Sequence, residues 1–176
     1  SGATVNRYKV TAIAADGLEE SYPVTVTSGA PINITAVTQA NPGVLSVAAH
    51  GRAVGDPVLI SGATGMPSIN GEWLVNTVPG ANTLSLKSTS GVVLDTTLLP
   101  AYIGGGTLSY AAVVNALTTA GNLNTITIAL AALATRYSVY KYFSGLWGYI
   151  GQTSENTFVD NNITADTTRT PPIIDD

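Results

Sequence analysis

The sequence contains no cysteine, which excludes disulfide bonds, thiolate catalysis and zinc–thiolate sites. Lys and Arg together number only 7 and form no cluster, so the chain offers no basic stripe for a phosphate backbone, and nucleic acid is not an expected partner. The longest apolar run, 126–134, is too short to span a bilayer, and we expect no membrane insertion.

Charged residues make up 10% of the chain and the formal net charge is −4, so Thr, Ser, Asn and Gly must provide most of the polar surface. This composition is typical of secreted or virion β-proteins. The hydrophobic fraction of 45% is sufficient for a packed core. The chain of 176 residues is long enough for one large domain or two small ones.

The first block of the sequence predicts a β-hairpin. Residues 8–13 alternate apolar and polar side chains, as a half-buried strand does, and 22–27 alternate again with Tyr22, Val24 and Val26 on one face. Asp16-Gly17 between them is a turn signal. A hairpin alone is marginally stable, so these strands must join a sheet formed elsewhere in the chain.

The second block predicts a small barrel or sandwich. The block is a series of short β-segments separated by Gly, Pro and Asn, which is typical of small barrels and sandwiches. No stretch has a sustained helical period. The predicted strands are 32–38, 44–48, 57–61, 71–78, 83–86 and 107–110.

The third block predicts further strands and a tail. Residues 111–117 fit a strand or a short helix, Ile126, Ile128 and Leu130 share one strand face, and 157–160 form a last short strand. The Thr/Pro/Asp-rich end is expected to leave the domain as an extended linker.

No motif predicts catalysis. His50 has no neighbouring nucleophile or carboxylate in sequence and is interpreted as a turn histidine. Gly104-Gly105-Gly106 lacks the lysine and helix of a phosphate loop and is interpreted as a strand-end linker. Asp160, Asn161, Asn162 and Asp166 could favour calcium but lack its loop spacing, and Glu19-Glu20 is interpreted as a solvated pair. We therefore expect no catalytic residue, no metal site and no cofactor.

The aromatic segment 136–164 is interpreted mainly as scaffold. In a strand, Tyr140 and Tyr142 lie on the face opposite Val139 and Lys141, and tyrosine suits a half-buried position. The alternative is a contact surface for a protein or a carbohydrate. Its candidate residues are Tyr142, Phe143, Trp147 and Tyr149.

The middle of the chain resembles the FCCH-like β-barrel module that occurs in ubiquitin-activating enzymes and widely in phage tail proteins. Many of the turn residues of that module fall in order here. They include Asn41-Pro42, His50-Gly51, Gly55-Asp56, Ser61-Gly62, Gly65-Met66, Ile69-Asn70-Gly71, the segment 82–86 and Gly105-Gly106-Thr107.

The flanks resemble a fibronectin type III sandwich with its strands in shuffled order. "YKVTAIAADGLEES" is similar to the final hairpin of that family, and "TITIALAALATRYSVYKYFSGLWGYIGQTSENTFVDNNIT" to its earlier strands. The hairpin either closes the sandwich as a permutation, which we favour, or belongs to a preceding domain. Ile128 stands where the family usually has a core tryptophan, and Trp147 is the candidate to fill that space.

These resemblances imply an all-β protein in which a small FCCH-like β-barrel is inserted into a fibronectin-III-like β-sandwich. The expected domains are a hairpin at 1–30, the barrel at 31–108, the rest of the sandwich at 109–165 and an extended tail at 166–176. The combination resembles part of a hub or nozzle protein of short-tailed phages.

The resemblance implies a non-enzymatic structural module in the virion tail, with other tail proteins as partners. The alternative is a module that binds a host surface glycan or receptor. Two further interpretations stay open. One is a hydrolase fragment, which needs two close carboxylates from among Glu19, Glu20, Glu72, Asp95 and Glu155. The other is a fragment whose function belongs to a larger parent protein.

Overall fold

The computed structural model describes residues 5–114 and 123–173, which are all-β and contain no α-helix. The chain divides into two compact units: unit 1 comprises Ser1–Val26 and Ala112–Asp176, and unit 2 comprises Thr27–Ala111. Within the described residues, no helix has the length and apolar character needed to cross a membrane.

The described residues form fourteen strands and one short 3-10 helix at Pro67–Ile69. The strands are β1 (Val5–Asn6), β2 (Tyr8–Ala14), β3 (Val24–Thr25), β4 (Ser28–Val37), β5 (Val44–Val47), β6 (Pro57–Thr64), β7 (Gly71–Gly80), β8 (Thr83–Lys87), β9 (Gly104–Tyr110), β10 (Val113–Val114), β11 (Asn124–Thr127), β12 (Ala134–Phe143), β13 (Leu146–Thr153) and β14 (Thr157–Asp160).

Unit 2 is a closed, antiparallel barrel with the strand order β4-β5-β8-β7-β6-β9. Alternate side chains of each strand point inward and form its apolar core. Fully buried core residues are Leu45, Val47, Val58, Met66, Ile69, Val75, Leu84 and Leu86. Each of the six strands predicted for this block overlaps one of the six barrel strands, and the predictions 32–38 and 44–48 run one residue past the ends of β4 and β5. Of the two architectures that the pattern allowed, the barrel is the one formed.

The three consecutive glycines are part of a strand, which corrects their interpretation as a linker. Gly104, Gly105 and Gly106 begin β9 and pair with the end of β6, with Gly105 opposite Ala63. A Cβ atom on Gly106 would lie 2.9 Å from the backbone nitrogen of Ala63. Glycine is therefore required here because the two backbones approach closely.

Unit 1 contains a four-stranded sheet in the order β13-β12-β2-β3, a two-stranded sheet of β11 and β14, and a short pairing of β1 with β10. The strand β2, which precedes the barrel in sequence, pairs along its length with β12, which follows it. An apolar core joins the two larger sheets. Its members are Tyr8, Val10, Ile126, Ile128, Tyr137, Val139 and Ile150.

The four-stranded sheet has two chemically different faces. The inner face carries Tyr8 and Val10 of β2 with Val139 and Lys141 of β12. The outer face carries Lys9 of β2, Tyr140 and Tyr142 of β12, and Trp147 and Tyr149 of β13. The predicted placement of the two tyrosines opposite Val139 and Lys141 is confirmed.

The predicted hairpin is present, but its second strand is short. β3 contains two residues, Val24 and Thr25, and pairs with Lys9 and Val10 of β2. Tyr22 and Val24 are 54% and 68% exposed, so only Val26 of the predicted apolar face packs on the core. Between the strands, the Ser21 hydroxyl accepts the Ala12 amide at 2.9 Å. This side-chain hydrogen bond takes the place of a backbone hydrogen bond between the two strands.

The structure decides between strand and helix for the start of segment 111–117, and it places the first part of the expected tail against unit 1. Val113 and Val114 form the strand β10, and 115–117 lie outside the described residues. The first part of the expected tail packs on unit 1, where Asp166 exchanges two backbone hydrogen bonds with Tyr149.

Candidate functional site

The outer face of the four-stranded sheet carries a cluster of aromatic rings and cations. Tyr142 and Trp147 are directly opposite each other on β12 and β13, and their rings meet edge to face with centroids 5.2 Å apart. The Arg7 guanidinium carbon lies 4.7 Å from the Tyr142 ring centroid and 5.4 Å from that of Trp147. The Lys9 ammonium lies 4.9 Å from the Trp147 centroid. The electrostatic attraction between a cation and the face of an aromatic ring holds these side chains together.

The structure separates the four aromatic residues that the sequence suggested as a contact surface. Tyr142, Trp147 and Tyr149 share the outer face, and each is half-buried. Phe143 follows Tyr142 in the strand, so it lies on the opposite face at the tip of the hairpin, where it is 55% exposed beside Leu146. Trp147 packs on cations at the outer face, so the hypothesis that it fills the core near Ile128 is wrong.

A second aromatic row on the outer face is more enclosed. Tyr140 and Tyr149 meet edge to face at 5.9 Å, and the Arg169 guanidinium carbon lies 3.7 Å from the Tyr149 ring centroid. The Tyr140 hydroxyl donates to a Glu20 carboxylate oxygen at 2.8 Å, and Thr11 donates to the same oxygen. Glu20 is therefore a partner of two buried hydroxyls, which corrects its interpretation as one of a solvated pair.

On the inner face lies a buried polar cluster that sequence reasoning missed. The Lys141 ammonium lies 3.0 Å from Asp160 Oδ2 and also donates to the Ile163 carbonyl oxygen. The Tyr8 hydroxyl donates to the same Asp160 oxygen at 2.7 Å and accepts from the Asn124 side-chain amide at 2.7 Å. Tyr8, Asn124 and Asp160 are each no more than 1% exposed.

The electrostatics of this cluster follow from its burial. Loss of hydration raises the pKa of the Tyr8 hydroxyl well above its usual range, and the Asp160 carboxylate beside it acts in the same direction. The hydroxyl is therefore a neutral donor to Asp160. The Asn124 Oδ1 atom is buried and has no hydrogen-bond partner among the described residues. A cluster of this kind is costly to desolvate unless its members stay paired.

One sequence signal could have located part of the cluster. Alternation along β12 placed Lys141 on the same face as Val139, and a lysine on a core face needs an anionic partner. The identity of that partner did not follow, because Asp160 was interpreted as a turn residue. In the structure Asp160 ends β14, and its Oδ1 accepts the Ile163 amide at 2.7 Å.

His50 binds backbone atoms of its own unit. Its Nε2 lies 3.2 Å from the Gly80 carbonyl oxygen and 3.3 Å from that of Thr83, and its Nδ1 accepts the Arg52 amide at 3.0 Å. These contacts use both ring nitrogens and place a proton on Nε2. His50 also borders a hollow of about 260 Å³ in unit 2, whose lining residues carry no carboxylate within the described part of the chain.

Asp160 and Asp166, two of the oxygen-rich residues considered for calcium, bind other groups of the protein. The Asp160 carboxylate is occupied by a cation and two donors, and Asp166 accepts from the backbone and side chain of Thr168 at 3.1 and 2.6 Å. These hydrogen bonds lower the pKa of Asp166, the side-chain bond contributing most. Among the residues that the structure describes, no group of three His, Asp or Glu side chains could hold a metal ion.

The carboxylates named for a hydrolase belong to different environments. Glu72 and Asp95 are part of unit 2, and Glu155 lies in the turn between β13 and β14 of unit 1. Glu19 and Glu20 border a cleft of about 420 Å³ in unit 1. Four alanines and Leu133 provide most of its other walls, and Glu20 there is already bound to two hydroxyls.

In comparisons with known proteins, neither a protein-family model nor a curated protein matches the chain.

Proposed function

We propose that the chain is a non-enzymatic structural module of a bacteriophage tail protein, which spaces or contacts neighbouring subunits in the virion. One observation supports this proposal: the residues that resemble the FCCH-like module hold the turns of the barrel through hydrogen bonds from side chain to backbone. The Asn70 side chain binds both backbone groups of Ala63 at 2.9 and 3.2 Å. Asp56 accepts the Ala53 amide at 2.9 Å, and Asn82 accepts the Ala49 amide at 2.7 Å. These residues shape turns of a closed barrel.

The finer architecture is part of the same proposal: an FCCH-like barrel inserted into a permuted fibronectin-III-like sandwich. The strand order of unit 1 supports it. In such a permutation the hairpin from the start of the chain joins the sheet formed by the end of the chain, and β2 pairs with β12. The two-stranded sheet of β11 and β14 corresponds to the second layer of the sandwich.

Immunogold electron microscopy tests the virion assignment. Antibodies raised against the chain are applied to particles released by the strain that carries the gene. Gold confined to the tail is the expected result, and particles from a strain with the gene deleted provide the control. Gold on the cell surface, with unlabelled particles, contradicts the proposal.

A second candidate function is recognition of a glycan or receptor by the outer face. The Tyr142–Trp147 pair with Arg7 and Lys9 favours it, since Trp, Tyr and Arg side chains are enriched at binding surfaces and a cation can pair with the carboxylate of an acidic sugar. Binding to a glycan array that is lost in Trp147→Ala and Tyr149→Ala, and kept in Tyr22→Ala, supports this function. Tyr22 is a matched control because it is an exposed tyrosine of the same unit. Absence of binding by the unaltered chain rejects it.

A further inference from the structure

The pair Lys141 and Asp160 combines short distance with burial. Their charged atoms lie 3.0 Å apart, and the two side chains are 7% and 0% exposed. Removing an ammonium and a carboxylate from water is costly, and transfer of one proton from nitrogen to oxygen yields a neutral amine beside a neutral carboxylic acid. That neutral pair contains a nucleophile and an electrophile in contact.

We propose that Lys141 and Asp160 condense to form an intramolecular amide cross-link between β12 and the end of β14. The Lys141 Nζ lone pair attacks Asp160 Cγ, and a C–N bond forms. The bond from Cγ to Oδ2 breaks, and Oδ2 leaves as water with the proton already transferred to it and a second proton from Nζ. No oxidant, reductant or further reactant is needed. This modification goes beyond the structural function proposed above and does not depend on it.

The neighbours of Asp160 are placed to assist both parts of this step. The Ile163 amide donates to Oδ1 at 2.7 Å, where negative charge develops in the tetrahedral intermediate. The Tyr8 hydroxyl donates to Oδ2, the leaving oxygen, at 2.7 Å. Its hydrogen bond stabilises the charge on that oxygen as the bond from Cγ to Oδ2 breaks. The Asn124 amide holds the hydroxyl in this position.

The fold supplies the orientation that such a reaction needs. Lys141 Nζ also donates to the Ile163 carbonyl oxygen, so the amine is held from two sides. Reacting groups fixed at contact distance react as if at a very high local concentration. The surrounding core, which includes Val139 and Ile126, keeps out the water that would favour hydrolysis.

Intact mass spectrometry of the purified, denatured chain tests the proposal. The expected mass is that of the sequence minus one water molecule. Proteolysis is then expected to release a branched peptide that joins the segments around Lys141 and Asp160. A folded chain that keeps the full mass of its sequence after prolonged incubation overturns the proposal.

Variants distinguish the assigned residues from alternatives. Lys141→Arg keeps the charge but removes the amine, so it should retain the full mass, whereas Lys87→Arg in unit 2 should still lose water. In timed cell-free synthesis, Tyr8→Phe should form the cross-link about a hundredfold more slowly. Loss of ammonia instead of water would show that the amine had reacted with an asparagine side chain, such as Asn124 of the same cluster, and would overturn the assignment to Asp160.

Discussion

At the scale of single residues, the buried hydroxyls of unit 1 determine how its stability responds to pH. Tyr140 is 4% exposed and donates to Glu20. Burial, followed by the hydrogen bond to Glu20, raises the pKa of the Tyr140 hydroxyl to about 12 from an ordinary value of 10.0. The folded protein therefore holds a proton that the unfolded chain releases between these two values.

We expect the free energy of unfolding to fall as pH rises from 10.0 to about 12. In this interval the unfolded state binds fewer protons than the folded state, so the slope of stability against pH is negative. Tyr140→Phe should reduce the slope, while Tyr22→Phe should leave it unchanged. Urea denaturation at several alkaline pH values measures it, and equal slopes in all three proteins would contradict the expectation.

Two glycines of the barrel allow the energetic cost of a positive φ angle to be measured apart from the cost of a steric clash. Gly106 in β9 and Gly29 in β4 have positive φ angles of 80° and 73°. A Cβ on Gly29 would meet no atom within 4 Å, whereas one on Gly106 would meet the backbone of Ala63. Gly29→Ala should therefore cost about 1 kcal/mol for the backbone angle alone.

Gly106→Ala should cost about 1–3 kcal/mol more than Gly29→Ala, because β6 and β9 must move apart to admit the methyl group. Chemical denaturation of the two variants gives the comparison. Equal losses would show that backbone angle alone decides both positions.

At the scale of elements, the long connection between β8 and β9 contributes to the closure of the barrel. Leu94 is part of the apolar core, and Thr96 is fully buried. The Thr96 hydroxyl lies 2.6 Å from the Thr38 carbonyl oxygen and 2.9 Å from that of Ala40, and it accepts the Ala40 amide at 3.1 Å. One side chain thus ties this connection to the turn between β4 and β5.

Thr96→Val should destabilise unit 2 by about 1–3 kcal/mol, because it keeps the side-chain shape and removes the hydrogen bonds that the buried Thr96 hydroxyl makes to the backbone of Thr38 and Ala40. Thr35→Val is the matched control, since Thr35 is exposed on β4 and its hydroxyl bonds only one carbonyl oxygen among the described contacts. Its effect should stay within about 0.5 kcal/mol. Thermal and urea unfolding measure both, and similar losses would refute the role given to Thr96.

Sequence patterns predicted elements better than the contacts between distant elements. Alternation and turn residues located all six barrel strands, because those signals are local. The buried cluster depends on Tyr8, Asn124, Lys141 and Asp160, which lie on four different strands and meet only after the sheets assemble. The alternation also put Phe143 on the opposite face from Tyr142, yet aromatic content alone grouped them.

At the scale of the whole molecule, each unit has its own apolar core. Unit 2 begins and ends at adjacent positions, since Ser28 of β4 pairs with Tyr110 of β9. A domain whose ends are close can be inserted into another chain segment or removed from it with little distortion.

We expect residues 27–111 to fold alone into the barrel. Its cooperative unfolding in urea and dispersed amide resonances in NMR spectra are the measurements. The same fragment with Val58→Asp provides the control, because Val58 is fully buried in the barrel core and a carboxylate there should prevent folding. A fragment that is unfolded without the substitution would contradict the independence of unit 2.

The pairing of β2 with β12 has a consequence for biosynthesis. The strand made first must wait for its neighbour until the ribosome has translated the whole intervening barrel. The barrel contains all of its own partners and can form while the rest of the nascent chain is still being made. The edge of β2 that will pair with β12 is meanwhile exposed, with only the short strand β3 on its other side, so the rate of translation through the barrel sets how long that edge stays vulnerable to wrong association.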